Sequence, residues 1–506
     1  MQGLLLFVLP LIPLVVLAVI RHAGPIKTRL ATVMLALAPK LPAAWTKPVF
    51  VSDCATAHRL LVRGSAGGSF SNRPPSMAPS AVLSAGRHHN ITSAPHGPFW
   101  RAIRHNLTSQ LFHPTRLHRY ASARRNALRG LVADLREQQQ QHGVVLAAES
   151  IRDAIFNVVC TMCFGDGVYP ALVRAIADAQ DDLVQSLPVV RVFVFSVFPV
   201  AVTRLIYRKQ WNKLVSVRKK QEDMYLPLID ACRRRGRCSD EPPCYVDTLL
   251  DLEVPVKDDD HVASVGVGGS SGKQQRISDA EIVGLCSEFL GAGSETVAAA
   301  IQWIMANLVK RPDIQEAVRR EIDDSVGAEA EEVGEEVLEK LEYLNAVVME
   351  ALRLHPTTAL VFRQVMKEDD AVLDGRRIGV GTTVIFPLEA IARDKTVWAD
   401  PDVFKPERFL ASGGGETMNL VAAAGSAGKM KMMPFGAGRR ICPGMGIAML
   451  HIGYFVANLV RDFVWKEAEG EHAIDLQPHT IVLVTVMKRP LRAHLLLRRR
   501  EAKNMS

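Results

Sequence analysis

The sequence predicts a mainly α-helical protein with a small β-rich subdomain, preceded by an N-terminal transmembrane helix. Three observations predict this class. Residues 1–20 form an apolar run without a charged side chain. Helix-type patterns fill most of the chain, and the longest runs over 278–311. Strand-type runs are short and lie near the two ends of the chain, over 49–52, 377–386 and 481–487.

The N-terminal run has about the length that crosses a bilayer core. Arg21, His22, Lys27 and Arg29 follow it directly. A positive flank of this kind stays on the cytoplasmic side, which predicts a single-pass anchor over 1–20, a linker over 21–48 and a cytosolic domain over 49–506. A cleaved signal peptide is the alternative interpretation. No basic residue precedes the run and no small-residue cleavage site ends it, which favours the anchor.

The charge balance excludes few classes of protein. The formal net charge of +8 is modest for 506 residues. It fits a generally basic surface, or contact with an anionic membrane or an acidic protein partner. The sequence contains no compact stripe of arginine and aromatic residues of the kind that binds nucleic acid, so we expect no nucleic-acid partner.

The eight cysteines show no framework spacing, which indicates free thiols in a reducing compartment. Cys160 and Cys163 form a C-x-x-C pair inside an apolar helical run, and no second pair follows. Cys232, Cys238 and Cys244 lie in a basic, turn-rich stretch without histidine neighbours. Neither group matches a zinc-ligand pattern, so we expect no metal at either.

The long helical pattern has clear boundaries. Ser278 and Glu281 form a capping box at its start, and Arg311 followed by proline ends it after about eight turns. Gly291 and Gly293 lie inside it, although each glycine costs a helix up to ~1 kcal/mol relative to alanine. Two explanations remain open: a large group approaches the backbone there, or another helix packs closely.

The segment 434–444 carries the strongest chemical signal. Gly436 and Gly438 loosen the backbone ahead of Cys442, and an apolar helix starts directly after it. The helix dipole and the two arginines Arg439 and Arg440 are expected to favour thiolate over thiol at Cys442. A thiolate in such a loop is a nucleophile or a metal ligand. The sequence shows no histidine–asparagine pairing of the cysteine-protease kind.

The same segment resembles the cytochrome P450 family. The signature F-x-x-G-x-R-x-C-x-G is matched by Phe435, Gly438, Arg440, Cys442 and Gly444. The resemblance implies a cytochrome P450 fold that binds haem b, with Cys442 as the proximal ligand of the iron. It also implies that Phe435 packs beside the sulfur and that Arg440 pairs with a haem propionate.

A second match is Glu350-Ala-Leu-Arg353, an E-x-x-R motif. Glutamate and arginine at i and i+3 share one helix face. A surface ion pair is the simpler interpretation. The family resemblance implies instead a buried triad with Arg408, which lies in a P-E-R-F segment. Such a triad is structural and supports the haem loop.

A third match lies in the long helix, where Ala292, Gly293, Glu295 and Thr296 fill the pattern [A/G]-G-x-[D/E]-T. The resemblance implies that Gly293 lets haem and dioxygen approach the helix. It assigns Thr296 and Glu295 to proton delivery as catalytic residues. Taken alone, Thr296 would be read as a threonine that hydrogen-bonds the carbonyl four residues earlier.

Three further residues are assigned to the haem propionates by resemblance. Trp100 and Arg104 match a W-x-x-x-R motif, and Arg363 follows Arg353 by ten residues. Several cationic partners are expected because two propionates must be neutralised away from bulk water.

The phrases at 431–435 and 392–394 are similar to plant microsomal P450 enzymes, and among them to the group that contains family 89. The resemblance implies a monooxygenase of the endoplasmic reticulum membrane. Such an enzyme inserts one atom of dioxygen into a lipophilic small molecule, with electrons from NADPH through NADPH–cytochrome P450 reductase. The linker lacks the Pro-Pro-Gly-Pro hinge of microsomal members and is shortened. A haem-thiolate isomerase or dehydratase and a non-catalytic haem-binding relic are the alternatives.

Overall fold

The computed structural model describes most of the chain between residues 48 and 498. The described ranges are 48–63, 68–74, 80–83, 90–186, 208–236, 243–255, 274–327, 329–367, 372–373, 375–411, 430–468, 470 and 473–498. The predicted anchor over 1–20 and all of the predicted linker except Pro48 lie outside these ranges. Within them, no helix combines the length and the apolar character that a bilayer span needs.

Helices form most of the described structure, as the sequence predicts. In chain order they are α1 Cys54–His58, α2 Ser80–Leu83, α3 Pro98–Asn106, α4 Pro114–Leu117, α5 Ala121–His142, α6 Ala147–Phe164, α7 Pro170–Ser186, α8 Arg208–Arg235, α9 Tyr245–Leu250, α10 Asp279–Lys310, α11 Pro312–Ser325, α12 Glu335–Leu338, α13 Glu342–Leu354, α14 Leu388–Ala392 and α15 Met445–Asp462. Short 3₁₀ turns at Pro406–Phe409 and Gly438–Arg440 lie between α14 and α15.

Helix α10 is the central element, and its 32 residues confirm the predicted boundaries. The backbone N–H of Ser278 donates to the Glu281 carboxylate at 2.8 Å, and both halves of the capping box are present. The helix ends at Lys310, because Arg311 precedes a proline and takes an extended conformation. Helix α10 packs along α6 and against α8, α13 and α15, so one face of α10 and the start of α15 lie in the same core.

The strands are short. They are β1 Val49–Phe50, β2 Val145–Leu146, β3 Glu253–Pro255, β4 Gln274–Arg276, β5 Leu360–Gln364, β6 Val372–Leu373, β7 Arg376–Arg377, β8 Thr383–Pro387, β9 Phe463–Lys466, β10 Pro478–Ile481, β11 Val484–Met487 and β12 Arg492–Leu497. In one sheet β8 lies between β1, which is parallel to it, and β5, which is antiparallel. In a second sheet β12 lies between β2 and β9.

Two predicted strands are each divided by a turn. The run over 377–386 splits between β7 and β8, because Gly381 has a φ of +86° and breaks the extended backbone. The run over 481–487 is the end of β10, a two-residue turn and β11. Val482 in that turn has a φ of +57°, which is unusual for a β-branched residue, so the residue types did not indicate a turn there.

Two apolar cores surround the cysteine segment. The larger core lies between α6, α10, α13 and α15. The smaller one lies under the sheet of β1, β8 and β5, and it includes Met430, Met433 and Ala437 from the segment before Cys442. The cysteine loop therefore connects the two cores, and packing on both sides fixes its position.

Candidate active site

The loop that carries Cys442 is closed by a backbone hydrogen bond. Gly436 and Gly438 have φ values of +72° and +70°, which L side chains rarely adopt. These turns bring the N–H of Cys442 to the carbonyl oxygen of Phe435 at 2.9 Å. Gly444 is the N-cap of α15, and a Cβ there would lie 3.9 Å from the Cys442 sulfur. The loop thus holds the thiol at the start of a buried helix.

Burial raises the pKa of the Cys442 thiol, and the backbone N–H of Gly444, Arg104 and Arg73 act in the opposite direction. The prediction that Arg439 and Arg440 favour the thiolate form of Cys442 is wrong, because the arginines that lower the pKa of this thiol are Arg104 and Arg73. Arg439 is exposed, and Arg440 turns away to bind carbonyl oxygens. Because burial raises the thiol pKa, a bound metal cation is the partner that would hold this sulfur as a thiolate.

Four arginine side chains converge near Cys442: Arg73, Arg104, Arg363 and Arg440. Burial, followed by Arg73 and Arg440, lowers the pKa of Arg363 well below its usual range. Burial, Arg73 and Arg104 lower the pKa of Arg440 to about 9. Among the described residues, Glu288 is the carboxylate that acts on Arg73 and Arg440, so the cluster carries more buried positive charge than this group can neutralise. This excess fits a dianionic group, and the two propionates of haem are such a group.

The guanidinium groups of this cluster also bind the backbone around the cysteine loop. Their hydrogen bonds include Arg104 Nη2 to Ile441 O at 2.7 Å, Arg363 Nη2 to Ala437 O at 3.4 Å, Arg440 Nε to Ser71 O at 2.8 Å and Arg440 Nη2 to Ala94 O at 2.6 Å. These hydrogen bonds hold segments that are far apart in the sequence, near residues 71, 94 and 437–441, around the Cys442 thiol.

Trp100 lies between two of these arginines. Its ring centroid is 4.3 Å from the guanidinium carbon of Arg440 and 5.3 Å from that of Arg104. Its indole N–H donates to the carbonyl oxygen of Ile91 at 3.1 Å. The predicted propionate residues Trp100, Arg104 and Arg440 are therefore one cluster, and Arg363 of β5 joins it.

On helix α10, the hydroxyl of Thr296 donates to the carbonyl oxygen of Ala292 at 2.9 Å. Ala292 is exposed, and Thr296 lies one turn further on the same face. Glu295 lies on a different side, where its carboxylate pairs with Arg152 of α6 at 3.2 Å. Burial raises the pKa of Glu295, Arg152 lowers it and Asp181 raises it.

Gly293 serves helix packing in this structure. A Cβ built at Gly293 would lie 3.1 Å from a methyl carbon of Val159 on α6. Of the two explanations for the helix glycines, close packing against a second helix is the one that the structure shows for Gly293. The approach of a large group to Gly293 stays a prediction, and the exposed residue of this turn is Ala292, directly before it.

The E-x-x-R motif is fully buried. Arg353 donates to both oxygens of Glu350, at 2.7 and 2.8 Å. Arg408 reaches Glu350 at 3.1 Å through its Nε. The guanidinium groups of Arg353 and Arg408 lie 5.3 and 5.8 Å from the ring of Trp398, whose indole N–H donates to Lys431 O. The three residues form one unit that reaches the segment before Cys442.

The sequence of this chain matches the profile of the family described as Cytochrome P450 over residues 40–495. The chain belongs to the cytochrome P450 family. It is 37% identical over 461 residues to cytochrome P450 89A9 of Arabidopsis thaliana, covering 90% of this chain and 85% of that protein. The similarity to the plant group that contains family 89 is thus confirmed.

Other P450 proteins share the fold and the enzyme class. Flavonoid 3'-monooxygenase of Petunia hybrida is 29% identical over 408 residues, 80% of this chain and 74% of that protein. A zebrafish cytochrome P450 solved with progesterone superposes with a TM-score of 0.69 at 22% identity, covering 89% of this chain and 93% of that one. The P450 fold, mostly helical with small sheets, is confirmed, and the chain is a cytochrome P450 monooxygenase.

Two residues of this P450 site were missed at the level of sequence. Glu288 of α10 accepts the N–H of Ile91 at 2.8 Å and that of Thr92 at 2.7 Å. Glu288, Ala292 and Thr296 are spaced by four residues and share a helix face, so the spacing could have pointed to Glu288. Arg73 follows no motif, and only the tertiary structure brings it to Cys442.

Proposed function

We propose that the protein is a membrane-anchored, haem-thiolate monooxygenase that inserts one oxygen atom of O₂ into a lipophilic small molecule. The observation that carries the proposal is the position of Cys442. It is a thiol whose loop is locked by Phe435 and whose surroundings hold more buried arginines than carboxylates. This combination provides a soft metal ligand beside a dianion site.

In this proposal the Cys442 sulfur would hold the iron of haem b, and Arg104, Arg363 and Arg440 would hold its propionates with Trp100 packed against Arg104 and Arg440. Arg73, unassigned by sequence, belongs to the same set. Haem iron bound by a cysteine thiolate supplies the chemistry of O–O bond cleavage. Phe435 contributes the carbonyl oxygen that fixes the N–H of Cys442, and its side chain packs against the larger core.

Thr296 and Glu295 are proposed as the proton-handling residues. The Thr296 hydroxyl lies on the open face of α10, where it can exchange its bond to Ala292 O for one to a bound ligand. The Glu295 carboxylate pairs with Arg152, and Arg152 also pairs with Asp181. The Glu295 side chain is 28% exposed and therefore reaches solvent. Burial raises the pKa of Glu295, which suits a group that takes up and releases protons. Proton relay is thus divided between two faces of one helix.

The haem-thiolate isomerase or dehydratase remains the second candidate, because it would use the same cysteine loop without dioxygen or reductase. Thr296 and Glu295 favour the monooxygenase, since an isomerase does not need proton delivery to dioxygen. A non-catalytic haem-binding relic is the third candidate. The buried Glu350–Arg353–Arg408 unit and the closed cysteine loop favour a functional protein over a relic.

For the cell, we propose a single-pass protein of the endoplasmic reticulum membrane, anchored by residues 1–20 and joined by a linker over 21–48 to a cytosolic catalytic domain over 49–506. Electrons come from NADPH through the reductase. The reductase is proposed to approach from the side of the cysteine loop, where Arg439 is exposed three residues before Cys442. Because P450 reductases are acidic, complementary charge should speed the encounter and weaken it at high salt.

The experiment is the difference spectrum of the reduced, CO-bound protein. Cys442→Ser should abolish the thiolate-type band, because a serine oxygen does not supply the same electron donation. Cys54→Ser is the matched control: the buried Cys54 thiol donates to Lys431 O at 2.9 Å, and a hydroxyl can keep that bond. A full thiolate band in Cys442→Ser would disprove the assignment. NADPH dependence in the presence of reductase then separates the monooxygenase from the isomerase.

A further inference from the structure

Cys232 and Cys244 lie outside the active site and contact each other between the end of α8 and the start of α9. Cys232 lies in the last turn of α8, and Cys244 is the N-cap of α9. Their sulfur atoms are 3.8 Å apart and share a hydrogen bond. Both side chains are buried, with 4% and 1% exposure. The sequence separates them by twelve positions in a basic stretch, and a pair was not expected there.

A guanidinium group lies against both sulfur atoms. Arg235 Nη2 is 4.0 Å from the Cys232 sulfur and 3.9 Å from the Cys244 sulfur. The same nitrogen donates to the two carboxylate oxygens of Asp247, at 3.3 and 3.1 Å. The Asp247 carboxylate also accepts the N–H of Cys244 at 2.9 Å, which closes the capping box of α9.

We propose that Cys232 and Cys244 are a peroxide-reactive dithiol that closes reversibly to a disulfide. A positive group beside one thiol and a second thiol within reach are the two features that make a cysteine pair reactive to oxidants. The bond requires the sulfurs to approach from 3.8 Å to about 2.0 Å.

Cys232 is the attacking sulfur. The hydrogen bond from Cys244 lowers the pKa of the Cys232 thiol, burial and Asp247 raise it and Arg235 lowers it, with a lowered pKa as the net result. The same hydrogen bond and burial raise the pKa of Cys244. The pair therefore divides into a nucleophile and a resolving thiol, which is the arrangement of redox-sensitive cysteines.

The oxidant is a hydroperoxide, and hydrogen peroxide is the simplest member of that class. The Cys232 thiolate attacks one peroxide oxygen, the O–O bond breaks, and the departing oxygen takes a proton and leaves as water. The resulting sulfenic acid is attacked by the Cys244 sulfur. The S–S bond forms as the S–O bond breaks, and the Cys244 proton leaves with the oxygen as a second water. Two thiols and one peroxide thus become one disulfide and two waters.

A small cavity lies beside Arg235. It has a volume of about 20 Å³ and is lined by Tyr120, Thr161, Gly165 and Arg235, among others. This is room for a molecule of about the size of water. Arg235, whose side chain is 35% exposed, therefore contacts both this cavity and the two sulfur atoms.

A metal site is the competing interpretation, because Cys232, Cys244 and Asp247 each offer a ligand atom within 4.8 Å of the others. Arg235 argues against it. Its Nη2 contacts all three groups, so a guanidinium already provides the positive charge that a metal ion would bring. A metal would have to displace this cation.

The experiment treats the full-length protein with hydrogen peroxide, blocks remaining thiols with iodoacetamide under denaturing conditions, and sequences peptides by mass spectrometry. A Cys232–Cys244 cross-link that disappears on reduction is expected. Cys163 and Cys286 are the internal control. They are also buried neighbours, but burial and the adjacent thiols raise the pKa of Cys163 well above its usual range. That pair should stay reduced at peroxide doses that close the first one.

Variants of Arg235 and Cys238 test the role of the guanidinium group and the identity of the partner cysteine. Arg235→Gln should slow cross-linking roughly three- to tenfold, since loss of the guanidinium removes a group that lowers the pKa of the Cys232 thiol and so reduces the thiolate fraction. Arg235→Lys should keep most of the rate. Cys238→Ser should cross-link normally. The proposal is overturned if no cross-link forms, if Cys238 is the partner, or if stoichiometric bound zinc protects the two thiols in the protein as purified.

Discussion

Glu350 and Arg353 form a bidentate ion pair in which neither side chain is exposed to solvent. The carboxylate of Glu350 also accepts the N–H of Lys405 at 2.8 Å and the guanidinium of Arg408 at 3.1 Å. All of its partners come from α13 and from the segment before the cysteine loop. The Glu350 carboxylate thus connects α13 to the segment that precedes the cysteine loop.

Glu350→Ala and Arg353→Ala are expected to cost ~3–5 kcal/mol of stability, because each strands a buried opposite charge. Both variants should contain little haem. The control is Glu389→Ala, which breaks the Glu389–Arg393 pair, whose N–O distance is also 2.7 Å but whose glutamate is 58% exposed. It should cost less than about 1 kcal/mol. Denaturant midpoints and haem-to-protein ratios measure both effects, and equal midpoints would show that burial is irrelevant to the pair.

Thr296→Ala should uncouple NADPH consumption from product formation. The hydroxyl lies on the open face of α10 and neither Thr296 nor Glu295 is an iron-ligand candidate, so folding and the CO spectrum should be unchanged. Product per NADPH should fall, and hydrogen peroxide should rise. Ser294→Ala is the matched control, because Ser294 makes the same bond to the carbonyl four residues earlier, at 2.7 Å, but is buried on another face. Equal coupling in the two variants would mean that protons use another route.

Glu288→Ala should release the loop at Ile91 and Thr92, whose backbone N–H groups it holds. Hydrogen bonds to a charged group contribute about 1.5–3 kcal/mol, so amide exchange at these two residues should accelerate roughly 10- to 100-fold. Glu321→Ala is the control, since Glu321 accepts the N–H groups of Tyr343 and Leu344 at 2.6 and 2.9 Å. It should accelerate exchange only there.

The loop at 91–92 also carries the carbonyl of Ile91 that binds Trp100 and Arg440. A variant with unchanged exchange at Ile91 and Thr92 would contradict the contact itself.

His451 makes the stability of the protein acid-sensitive. Its side chain is buried, its Nε2 has no hydrogen-bond partner within the described part of the chain, and burial together with Arg124 lowers its pKa to about 3. An unfolded histidine titrates near 6.5. Between pH 6.5 and pH 3 the unfolded chain therefore binds the extra proton, and this histidine removes up to about 1.4 kcal/mol of stability per pH unit as the pH falls.

His451→Leu should flatten that dependence, so that its midpoint in urea falls less than the wild-type midpoint between pH 7 and pH 5. His479→Gln changes an exposed histidine and should leave the slope unchanged. A wild-type slope retained in His451→Leu would assign the acid sensitivity to other groups.

Local patterns were sufficient for several elements of the site. The capping box at Ser278 and Glu281 and the proline after Arg311 set the limits of α10, because helix ends depend on hydrogen bonds within one turn. The i and i+3 spacing of Glu350 and Arg353 placed them on one face for the same reason. The glycine and cysteine pattern at 436–444 located the candidate metal ligand.

The long-range partners were decided by the tertiary structure. The arginines that lower the pKa of the Cys442 thiol are Arg104 and Arg73, not the sequence neighbours Arg439 and Arg440, because packing of distant segments sets which charges face a buried atom. Gly293 meets Val159, Glu288 meets Ile91, and Cys232 meets Cys244 only after α6, α8, α9 and α10 have assembled. The sequence by itself determined the limits of α10 and the loop before Cys442. The burial of each reactive group and the charges beside it, which set its pKa and reactivity, depend on contacts between segments far apart in the chain.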